Sequence, residues 1–183
     1  MEVKLFLTGP PGSGKSTVLL RCVDRLRSLG FTVGGIATPE LRREGRRVGF
    51  SVVDLTSGRR ALMAGVEVAS SFRVGRYGVD LVGFESVALP ALDYAERSCD
   101  VVCIDEIGRM ELFSRPFNRR VEELIWGHRP MIAVLHRSYV GAYGGRGTVF
   151  HISPKNREQL VQLMVSRLED HLKARSTRPL KRR

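Results

Sequence analysis

The chain has 183 residues, of which 43% are hydrophobic and 27% are charged, and it carries a net charge of +11. These proportions are typical of a globular protein, and the length suits a domain with a substantial core. No apolar run approaches the roughly 20 residues that cross a bilayer, and the first apolar segment leads into a glycine-rich loop rather than a signal-peptide cleavage site. We therefore expect a cytoplasmic monomer that does not contact a membrane.

The excess of positive charge is concentrated at the end of the chain. Residues 173–183 contain six Lys or Arg residues and no acidic residue. A segment of this composition cannot bury enough apolar surface to fold alone. We therefore expect one domain over residues 1–172 and a disordered basic tail over residues 173–183. Non-specific contact with nucleic acid is one function that such a tail can serve.

The three cysteines, Cys22, Cys99 and Cys103, give an odd number of thiols. Cys99 and Cys103 do not have a usual zinc-binding spacing, and no histidine cluster lies near them in the sequence. We expect all three to be reduced thiols buried in the core.

The first elements of the chain form one recognisable unit. Residues 3–8 are apolar and favour a β-strand, and residues 9–17 then fit the pattern G-x-x-x-x-G-K-[ST] of the phosphate-binding P-loop. The residues up to about 29 have apolar side chains at three- and four-residue steps, which predicts a helix. Strand, glycine-rich loop and helix are the context that the motif requires. The candidate nucleotide-binding residues in the loop are Gly9, Pro10, Pro11, Gly12, Ser13, Gly14, Lys15, Ser16 and Thr17.

The chemistry of phosphate binding explains the composition of this loop. Glycines let the backbone curl so that successive N–H groups point at phosphate oxygens, and the helix N-terminus adds a partial positive charge. Lys15 is expected to reach the β- and γ-phosphates, and the Ser16 hydroxyl is expected to ligate Mg²⁺. The loop therefore predicts a nucleoside triphosphate as ligand and Mg²⁺ as cofactor.

The next part of the chain has β character. Residues 31–38, 48–55 and 60–64 predict strands. The polar, Arg-rich residues 39–47 predict the tip of an antiparallel excursion between the first two of these strands. Residues 65–80 contain three glycines and predict a loop.

The second half of the chain alternates between helices and buried strands. The predicted helices are 85–97, 116–126 and 156–173, and the predicted strands are 101–105, 131–135 and 148–152. Pro90 is expected in the first turns of its helix. This alternation predicts an α/β fold, a three-layer αβα P-loop arrangement with a largely parallel core sheet. Residues 32–64 add a small antiparallel extension, and the ligand is expected at the carboxyl ends of the parallel strands.

A second informative stretch lies in the predicted strand at residue 101. Four apolar residues end in Asp105, which is the Walker B pattern, so Asp105 is expected to hold Mg²⁺ directly or through water. Glu106 directly follows it, and an acid at this position can orient and deprotonate the water that attacks the γ-phosphate. The candidate residues of this stretch are Val101, Val102, Cys103, Ile104, Asp105, Glu106, Ile107 and Gly108.

Together these motifs resemble the small P-loop nucleoside-triphosphatase family of archaea and thermophilic bacteria, which is related to the animal cancer-related nucleoside-triphosphatase. The matching segments are 9–17, 38–42, 45–50, 74–77, 105–112 and 156–157, and the run DEIG-x-MEL at 105–112 is the most specific. The resemblance implies an αβα P-loop fold and Mg²⁺-dependent hydrolysis of ATP, GTP, CTP and UTP with weak base discrimination. Arg109 stands where the family commonly has Lys, and Pro39 and Leu41 also depart from the usual residues.

Two residues after the last predicted strand are candidates for contact with the base or the ribose. No N-K-x-D motif for reading guanine is present in the chain. Asn156 and Arg157 lie where P-loop proteins often contact the base. Helix capping is an equally good role for Asn156.

Further candidates follow the strand at 131–135. His136 is placed to face the γ-phosphate or the attacking water, although a histidine at a strand end is more often a surface residue. An arginine placed against the transition state accelerates phosphoryl transfer strongly. The sequence does not choose among the candidates for this role, which are Arg42, Arg46, Arg109, Arg137 and Arg146.

The first hypothesis for function is an Mg²⁺-dependent nucleoside-triphosphatase in which Lys15, Glu106 and His136 act in catalysis and Ser16 and Asp105 hold the metal. Two alternatives remain. One is a kinase that transfers phosphate to a nucleotide or polynucleotide, with the Arg-rich segment as a lid. The other is a nucleotide-dependent RNA-binding module in which slow hydrolysis acts as a timer.

Overall fold

The structure is a computed structural model that describes residues 3–176. It contains ten strands, five α-helices and three short 3-10 turns. The strands are β1 (Lys4–Thr8), β2 (Val33–Ala37), β3 (Glu40–Arg43), β4 (Arg46–Asp54), β5 (Arg60–Gly65), β6 (Arg73–Val74), β7 (Tyr77–Val79), β8 (Val101–Ile107), β9 (Met131–Leu135) and β10 (Thr148–His151). The helices are α1 (Lys15–Ser28), α2 (Leu81–Ser98), α3 (Arg115–Trp126), α4 (Val140–Tyr143) and α5 (Arg157–Ser176), and the 3-10 turns are Glu111–Phe113, Arg137–Tyr139 and Gly144–Arg146.

All the strands belong to one sheet, in the order β10-β1-β9-β8-β2-β4-β5-β7-β6, with β3 paired to β4. The five strands from β10 to β2 are parallel, and those beyond β2 pair in antiparallel fashion. The largely parallel core sheet with an antiparallel extension is therefore confirmed. Because the carboxyl ends of β1, β8 and β9 meet at one edge, the loops that follow them lie together there.

The sheet is covered on both faces, which gives the predicted three layers. Side chains of β1 alternate between two cores, because successive residues of a strand point to opposite faces. Leu5 and Leu7 pack with residues of α1 and α5. Phe6 packs on the other face with Phe84 of α2 and Phe117 of α3, whose rings meet at 4.9 Å. Each core places a helix pair against the strands that hold the site.

The antiparallel extension is larger than predicted. Residues 65–80 were expected to form a loop, but they contain β6 and β7, which pair with each other and continue the sheet from β5. These strands have only two and three residues, so they are too short to show an alternating pattern. The two-residue turn between them includes Gly75, whose φ of 58° is in the left-handed region that favours glycine.

Two helix boundaries also differ from the predictions. Helix α2 begins at Leu81, four residues before the predicted start, because Asp80 caps it by accepting a hydrogen bond from the Gly83 N–H at 2.9 Å. Pro90 consequently lies inside the helix rather than in its first turns. Helix α5 continues to Ser176, so residues 173–176 are helical and not part of an irregular tail. Residues 177–183 lie outside the described residues, and the expected disorder there stays a prediction.

The cysteines agree with the expectation that they are reduced and buried. All three thiols are free and buried, and burial raises the pKa of Cys22 to about 12 and that of Cys103 well above its usual value. Among residues 3–176, no helix is both long enough and apolar enough to cross a membrane.

Candidate active site

The glycine-rich loop connects β1 to α1, as predicted. Gly12 and Gly14 have φ angles of 72° and 91°, which side chains other than glycine rarely adopt. A Cβ atom at Gly9 would lie only 2.5 Å from a methyl carbon of Ile152, so the chain passes too close for any side chain there. The loop therefore has the curled backbone that directs N–H groups inward at the start of α1.

Two polar side chains of the loop are placed where they can bind an anion. Lys15 Nζ donates to the carbonyl oxygens of Gly9 at 3.2 Å and Pro10 at 2.9 Å, which holds the ammonium over the mouth of the loop. The Ser13 hydroxyl is buried and has no hydrogen-bond partner within residues 3–176. A buried polar atom without a partner is costly, so a ligand that supplied one would stabilise the loop.

Asp105 lies near the end of β8, next to the start of α1. Its Oδ1 accepts a hydrogen bond from Ser16 Oγ at 3.0 Å, and its backbone carbonyl accepts one from Thr38 Oγ1 at 2.8 Å. The side chain is only 2% exposed. The pKa of Asp105 is raised to about 7, chiefly by burial; the Ser16 hydrogen bond and Lys15 oppose this rise, and the Glu106 carboxylate adds to it.

Glu106 lines the same cavity as Lys15 and Asp105. The pairing of β8 with β9 shifts register between Ile104 and Ile107, and such irregularities redirect side chains next to active sites. Burial raises the pKa of Glu106, whereas electrostatic interactions with Lys15 and His136 lower it. The structure therefore brings the predicted base and the predicted phosphate-binding lysine together.

Glu111 is a site residue that the sequence reasoning missed. It lies in the 3-10 turn after β8, is only 3% exposed, and lines the cavity beside Glu106. The pKa of Glu111 is raised to about 8, chiefly by burial and also by the charges of Glu106 and Asp105, whereas backbone N–H groups of Gly108 and Glu111 oppose the rise. A signal was present in the sequence, because Glu111 is an acid between apolar residues within the most specific motif.

His136 follows β9 and also lines the cavity. Its backbone N–H donates to the carbonyl of Ile107 at 3.1 Å, which fixes it beside the end of β8. Its ring Nδ1 accepts a hydrogen bond from the Ser138 N–H at 3.2 Å. That bond assigns the proton of a neutral ring to Nε2, which leaves Nε2 as a donor.

The cavity has a volume of about 530 Å³ and reaches beyond the phosphate loop into the antiparallel extension. Its lining on that side comprises Thr38, Pro39, Glu40, Arg47, Phe50, Met63, Val74 and Met110. The extension of the sheet therefore forms one wall of the candidate site.

Three arginines line this cavity: Arg47, Arg109 and Arg137. The last two were among the candidates from the sequence, and Arg47 was not. The Arg47 guanidinium donates to Tyr77 Oη at 3.0 Å and to Glu40 Oε1 at 2.7 Å, and it lies 5.3 Å from the centroid of the Phe50 ring. Arg47 is therefore held in a fixed position.

The other three arginine candidates are not among the residues that line the cavity. Arg42 donates to Glu40 and to the Gly45 carbonyl within the β3–β4 hairpin. Arg146 stacks on Trp126 at 3.3 Å from the ring centroid, next to α3. The contacts of Arg42 and of Arg146 do not place either guanidinium next to the phosphate loop.

Asn156 and Arg157 lie on the other side of the loop, outside the cavity lining. The Asn156 amide accepts from the Ser153 N–H at 2.7 Å and donates to the His151 carbonyl at 2.9 Å, so it ties together the turn before α5. The Arg157 guanidinium packs against Gly14, where an added Cβ would lie 3.2 Å from Nε. Arg157 is thus adjacent to the phosphate loop.

The oxygen atoms of Ser16 and Asp105 are suited to Mg²⁺. A hydroxyl and a carboxylate are hard ligands, and Asp105 is a buried carboxylate that a cation would stabilise in its charged form. Within residues 3–176, no group of three or more His, Cys, Asp or Glu side chains is placed to hold a metal ion. Mg²⁺ in nucleotide sites usually has one or two protein ligands and completes its shell with phosphates and water, so the two oxygens fit this ion.

Comparison with known proteins identifies a family model and several relatives, all of them described as nucleoside-triphosphatases or NTPases. A family model described as NTPase matches residues 4–165. Nucleoside-triphosphatase THEP1 of Methanothermobacter thermautotrophicus is 43% identical over 92% of this chain and 98% of its own length. The corresponding protein of Methanocaldococcus jannaschii is 34% identical over 93% of this chain and 100% of its own length.

Solved structures have the same fold. The crystal structure of THEP1 from the hyperthermophile Aquifex aeolicus superposes with a TM-score of 0.80 at 29% identity and covers 91% of this chain and 99% of that one. The solution structure of a human cancer-related nucleoside triphosphatase superposes with a TM-score of 0.75 at 35% identity. It covers 92% of this chain and 98% of its own chain. These relatives agree with the phosphate loop and with the acidic pair at the end of β8. The chain therefore belongs to the P-loop nucleoside-triphosphatase family whose model is described as NTPase.

Proposed function

We propose that the protein hydrolyses nucleoside 5′-triphosphates to the diphosphate and phosphate, with Mg²⁺ and with little preference for the base. The observation that carries this proposal is the position of Glu106, a carboxylate in the same cavity as the loop lysine Lys15. A carboxylate there can act on water at the terminal phosphate. The names of the relatives, which are nucleoside-triphosphatases, support the same reaction.

The loop supplies the binding energy for the phosphates. Its backbone N–H groups and the N-terminus of α1 offer donors to the β- and γ-phosphates, and the buried Ser13 hydroxyl gains the partner that it lacks. The ammonium of Lys15 exchanges the carbonyls of Gly9 and Pro10 for phosphate oxygens. This exchange replaces two neutral acceptors with charged ones, which form stronger hydrogen bonds.

Ser16 and Asp105 would hold Mg²⁺, directly or through water. When bound, the ion neutralises charge on the oxygens of the β- and γ-phosphates. The protein's part is to place a hydroxyl and a carboxylate within 3.0 Å of each other beside the loop. The proton that a pKa of about 7 leaves on a fraction of Asp105 side chains is released when a cation approaches.

Glu106 accepts the proton of the attacking water in this proposal. The water oxygen bonds to the γ-phosphorus, the bond from that phosphorus to the bridging oxygen breaks, and the diphosphate leaves with the bridging electrons. Burial raises the pKa of Glu106, which makes it a stronger base than an exposed carboxylate. His136 Nε2 donates to the γ-phosphate beside it, and the guanidinium of Arg109 or Arg137 adds positive charge at the same cavity wall.

The base is read weakly in this proposal. The amide of Asn156 is held by hydrogen bonds to His151 and Ser153, which fix its orientation in the turn before α5. Arg157 packs on Gly14 and can contact the ribose or a base face, which every nucleotide offers. A site that stacks on a base without pairing its polar edge does not discriminate strongly.

The test is phosphate release from ATP, GTP, CTP and UTP, measured without any acceptor, with Mg²⁺ and with excess chelator. We expect release from all four, which stops with chelator. Lys15→Ala should abolish release and weaken nucleotide binding, whereas Glu106→Ala should abolish release and leave binding largely intact. Full turnover by Glu106→Ala would refute the assigned base, and release from only one triphosphate would refute the weak base discrimination.

A kinase is the second candidate, because the cavity continues from Glu106 to Arg47 and Phe50 on the wall formed by the extension. An acceptor bound there would lie beyond the γ-phosphate. The same assay distinguishes the two reactions. Phosphate release without an acceptor supports the hydrolase, whereas label that appears on an added nucleoside, nucleotide or polynucleotide, with no release in its absence, supports the kinase.

A further inference from the structure

Glu111 differs from the other buried charged residues of the described chain. Three charged side chains between residues 3 and 176 are less than one-tenth exposed: Lys4, Asp105 and Glu111. Lys4 donates to two backbone carbonyls, and Asp105 accepts from Ser16. For the carboxyl of Glu111, the groups that favour the charged form are backbone N–H groups, from Gly108 and from Glu111 itself, and two other carboxylates raise its pKa.

A stabilising role does not explain an acid at this position. An ionised carboxylate in a buried site costs several kcal/mol unless it is paired, and a well-packed apolar side chain of similar volume is usually at least as stable. Met110, Leu112 and Phe113, the neighbours of Glu111, are apolar and pack against cores of the protein. A carboxyl kept among them, in the wall of the nucleotide cavity, indicates a functional role.

The geometry relates Glu111 directly to Glu106. Both carboxyl groups lie close to Gly108, which has no side chain and stands between Glu106 and Glu111 in the sequence. A Cβ at Gly108 would lie 2.6 Å from Glu106 Oε1 and 2.7 Å from Glu111 Oε2. The absence of a side chain at residue 108 therefore lets the two carboxyl groups approach the backbone there, and both of them line the cavity.

We propose that Glu111 is the second carboxyl of the water site, which holds the attacking water together with Glu106. This inference rests on the proposed hydrolysis. A water molecule in a polar site needs two to four hydrogen-bond partners to be fixed. Glu106 takes one proton of the water during attack, and an oxygen of Glu111 accepts the hydrogen bond of the other O–H. The two contacts direct the oxygen lone pair at the γ-phosphorus, and Glu111 itself neither gains nor loses a proton.

Two substitutions separate the oxygen of Glu111 from its bulk. Glu111→Gln keeps an oxygen acceptor, whereas Glu111→Met keeps the approximate volume and removes both oxygens. We expect Glu111→Met to lower kcat by roughly 100-fold, the size of effect typical of groups that act on the reacting proton or water. KM should change by less than about threefold, and Glu111→Gln should retain kcat within about tenfold of the wild type. The thermal midpoint of Glu111→Met should equal or exceed that of the wild type.

The matched control is Ser114→Ala, at the end of the same 3-10 turn. Ser114 is equally buried, and its hydroxyl caps α3 through the Phe117 N–H at 3.1 Å and donates to Glu85 at 2.6 Å, but it does not line the cavity. This variant should lose stability and keep kcat. An equal loss of kcat in Ser114→Ala and Glu111→Met would show that a loosened turn, and not the missing oxygen, slows the reaction.

A binding measurement tests the water site without turnover. Mg·ADP with aluminium fluoride mimics the γ-phosphoryl group under attack by water, whereas Mg·ADP alone does not. Glu111→Met should bind the aluminium fluoride complex about 30-fold more weakly and bind Mg·ADP as the wild type does, because only transition-state contacts are lost. Unchanged affinity for both ligands, or unchanged kcat, would overturn the role of Glu111. A wild-type protein that releases no phosphate would instead refute the proposed hydrolysis.

Discussion

Buried charged side chains have opposite surroundings at the two ends of the parallel sheet. At the amino end, Lys4 is 3% exposed, and its ammonium donates at 2.6 Å to the carbonyls of Leu124 and Arg129. At the carboxyl end, Asp105, Glu106 and Glu111 share one cavity, and the pKa values of all three are raised.

The difference separates stability from function. Lys4 donates to a carbonyl in the last turn of α3 and to one in the loop after it, so its burial is compensated and the fold gains from it. Glu106 raises the pKa values of Asp105 and Glu111, and all three acids line an open cavity, which is an arrangement that a ligand must complete. Charge that the protein satisfies with its own carbonyls indicates structure, and charge that it leaves facing a cavity indicates chemistry.

The largest effect is expected from Lys4→Met. Its removal leaves the buried carbonyl of Leu124 and the partly buried carbonyl of Arg129 without this donor, so unfolding should cost about 3–5 kcal/mol less free energy. The thermal midpoint should then fall by roughly 6–20 °C, as calorimetry or circular dichroism would measure. The kcat of the folded variant should match the wild type, and a loss of kcat at a temperature where it is folded would contradict the separation of the two ends.

The pH dependence of stability examines the other end. Burial raises the pKa of Glu111 from 4.5 to about 8, so the folded protein holds a proton that the unfolded chain releases. The resulting stabilisation is complete below pH 4.5 and is lost as the pH rises towards 8. Free of metal and nucleotide, the protein should lose about 2–4 kcal/mol of unfolding free energy between pH 5 and pH 8, measured by denaturant titration.

Two variants assign this pH dependence to its source. Glu111→Gln should remove much of the slope, because the titrating group is gone. Glu158→Gln should keep it, because the Glu158 side chain is 61% exposed and pairs with Arg21 at the surface. A stability that is flat from pH 5 to pH 8 in the wild type would show that the acids are not buried as described.

Gly108→Ala tests the space between two of the acids. The new Cβ would lie within 2.7 Å of both carboxyl groups, so they must move apart. We expect kcat to fall about 30-fold with little change in nucleotide affinity, since misplaced catalytic groups cost rate more than binding. Gly141→Ala is the matched control, because nothing lies within 4 Å of its added Cβ. Equal kinetics for the two variants would exclude a catalytic role for this space.

The smallest effect is expected at Arg157, on the far side of the loop. Arg157→Ala should raise KM by about threefold, and by the same factor for ATP, GTP, CTP and UTP, because the guanidinium packs on Gly14 and does not read a base. Steady-state kinetics with the four triphosphates would measure this. A rise in KM for only one base would show that Arg157 selects nucleotides.

The sequence predicted the parts of the site that lie on regular elements. Loop residues such as Lys15 and acids such as Asp105 follow strands whose continuous apolar runs are unmistakable, so their positions could be inferred from topology alone. Glu111 could not be found in this way. It lies in a 3-10 turn, and although the acid between apolar residues is visible in the motif, its burial depends on packing between the turn, β8 and the neighbouring helices, which no local pattern encodes.

Arg47 was missed for a different reason. Its role depends on pairing between distant segments, because β4 must lie beside β2 before the guanidinium can meet Tyr77 and reach the cavity wall. The hairpin β6–β7, which supplies Tyr77, consists of strands too short to show alternation. The sequence alone therefore could not show which arginine of the Arg-rich segment lines the cavity.

The continuity of the sheet has a consequence for how nucleotides enter and leave. Strand β4 pairs directly with β2, so the wall that carries Arg47 and Phe50 and the floor that carries Asp105 are parts of one hydrogen-bonded body. Enzymes that close a separate lid over their substrate often turn over at the rate of lid opening. A cleft with a fixed wall has no such hinge, so its turnover should be limited by chemistry or by the affinity for the released phosphates, and should be insensitive to solvent viscosity.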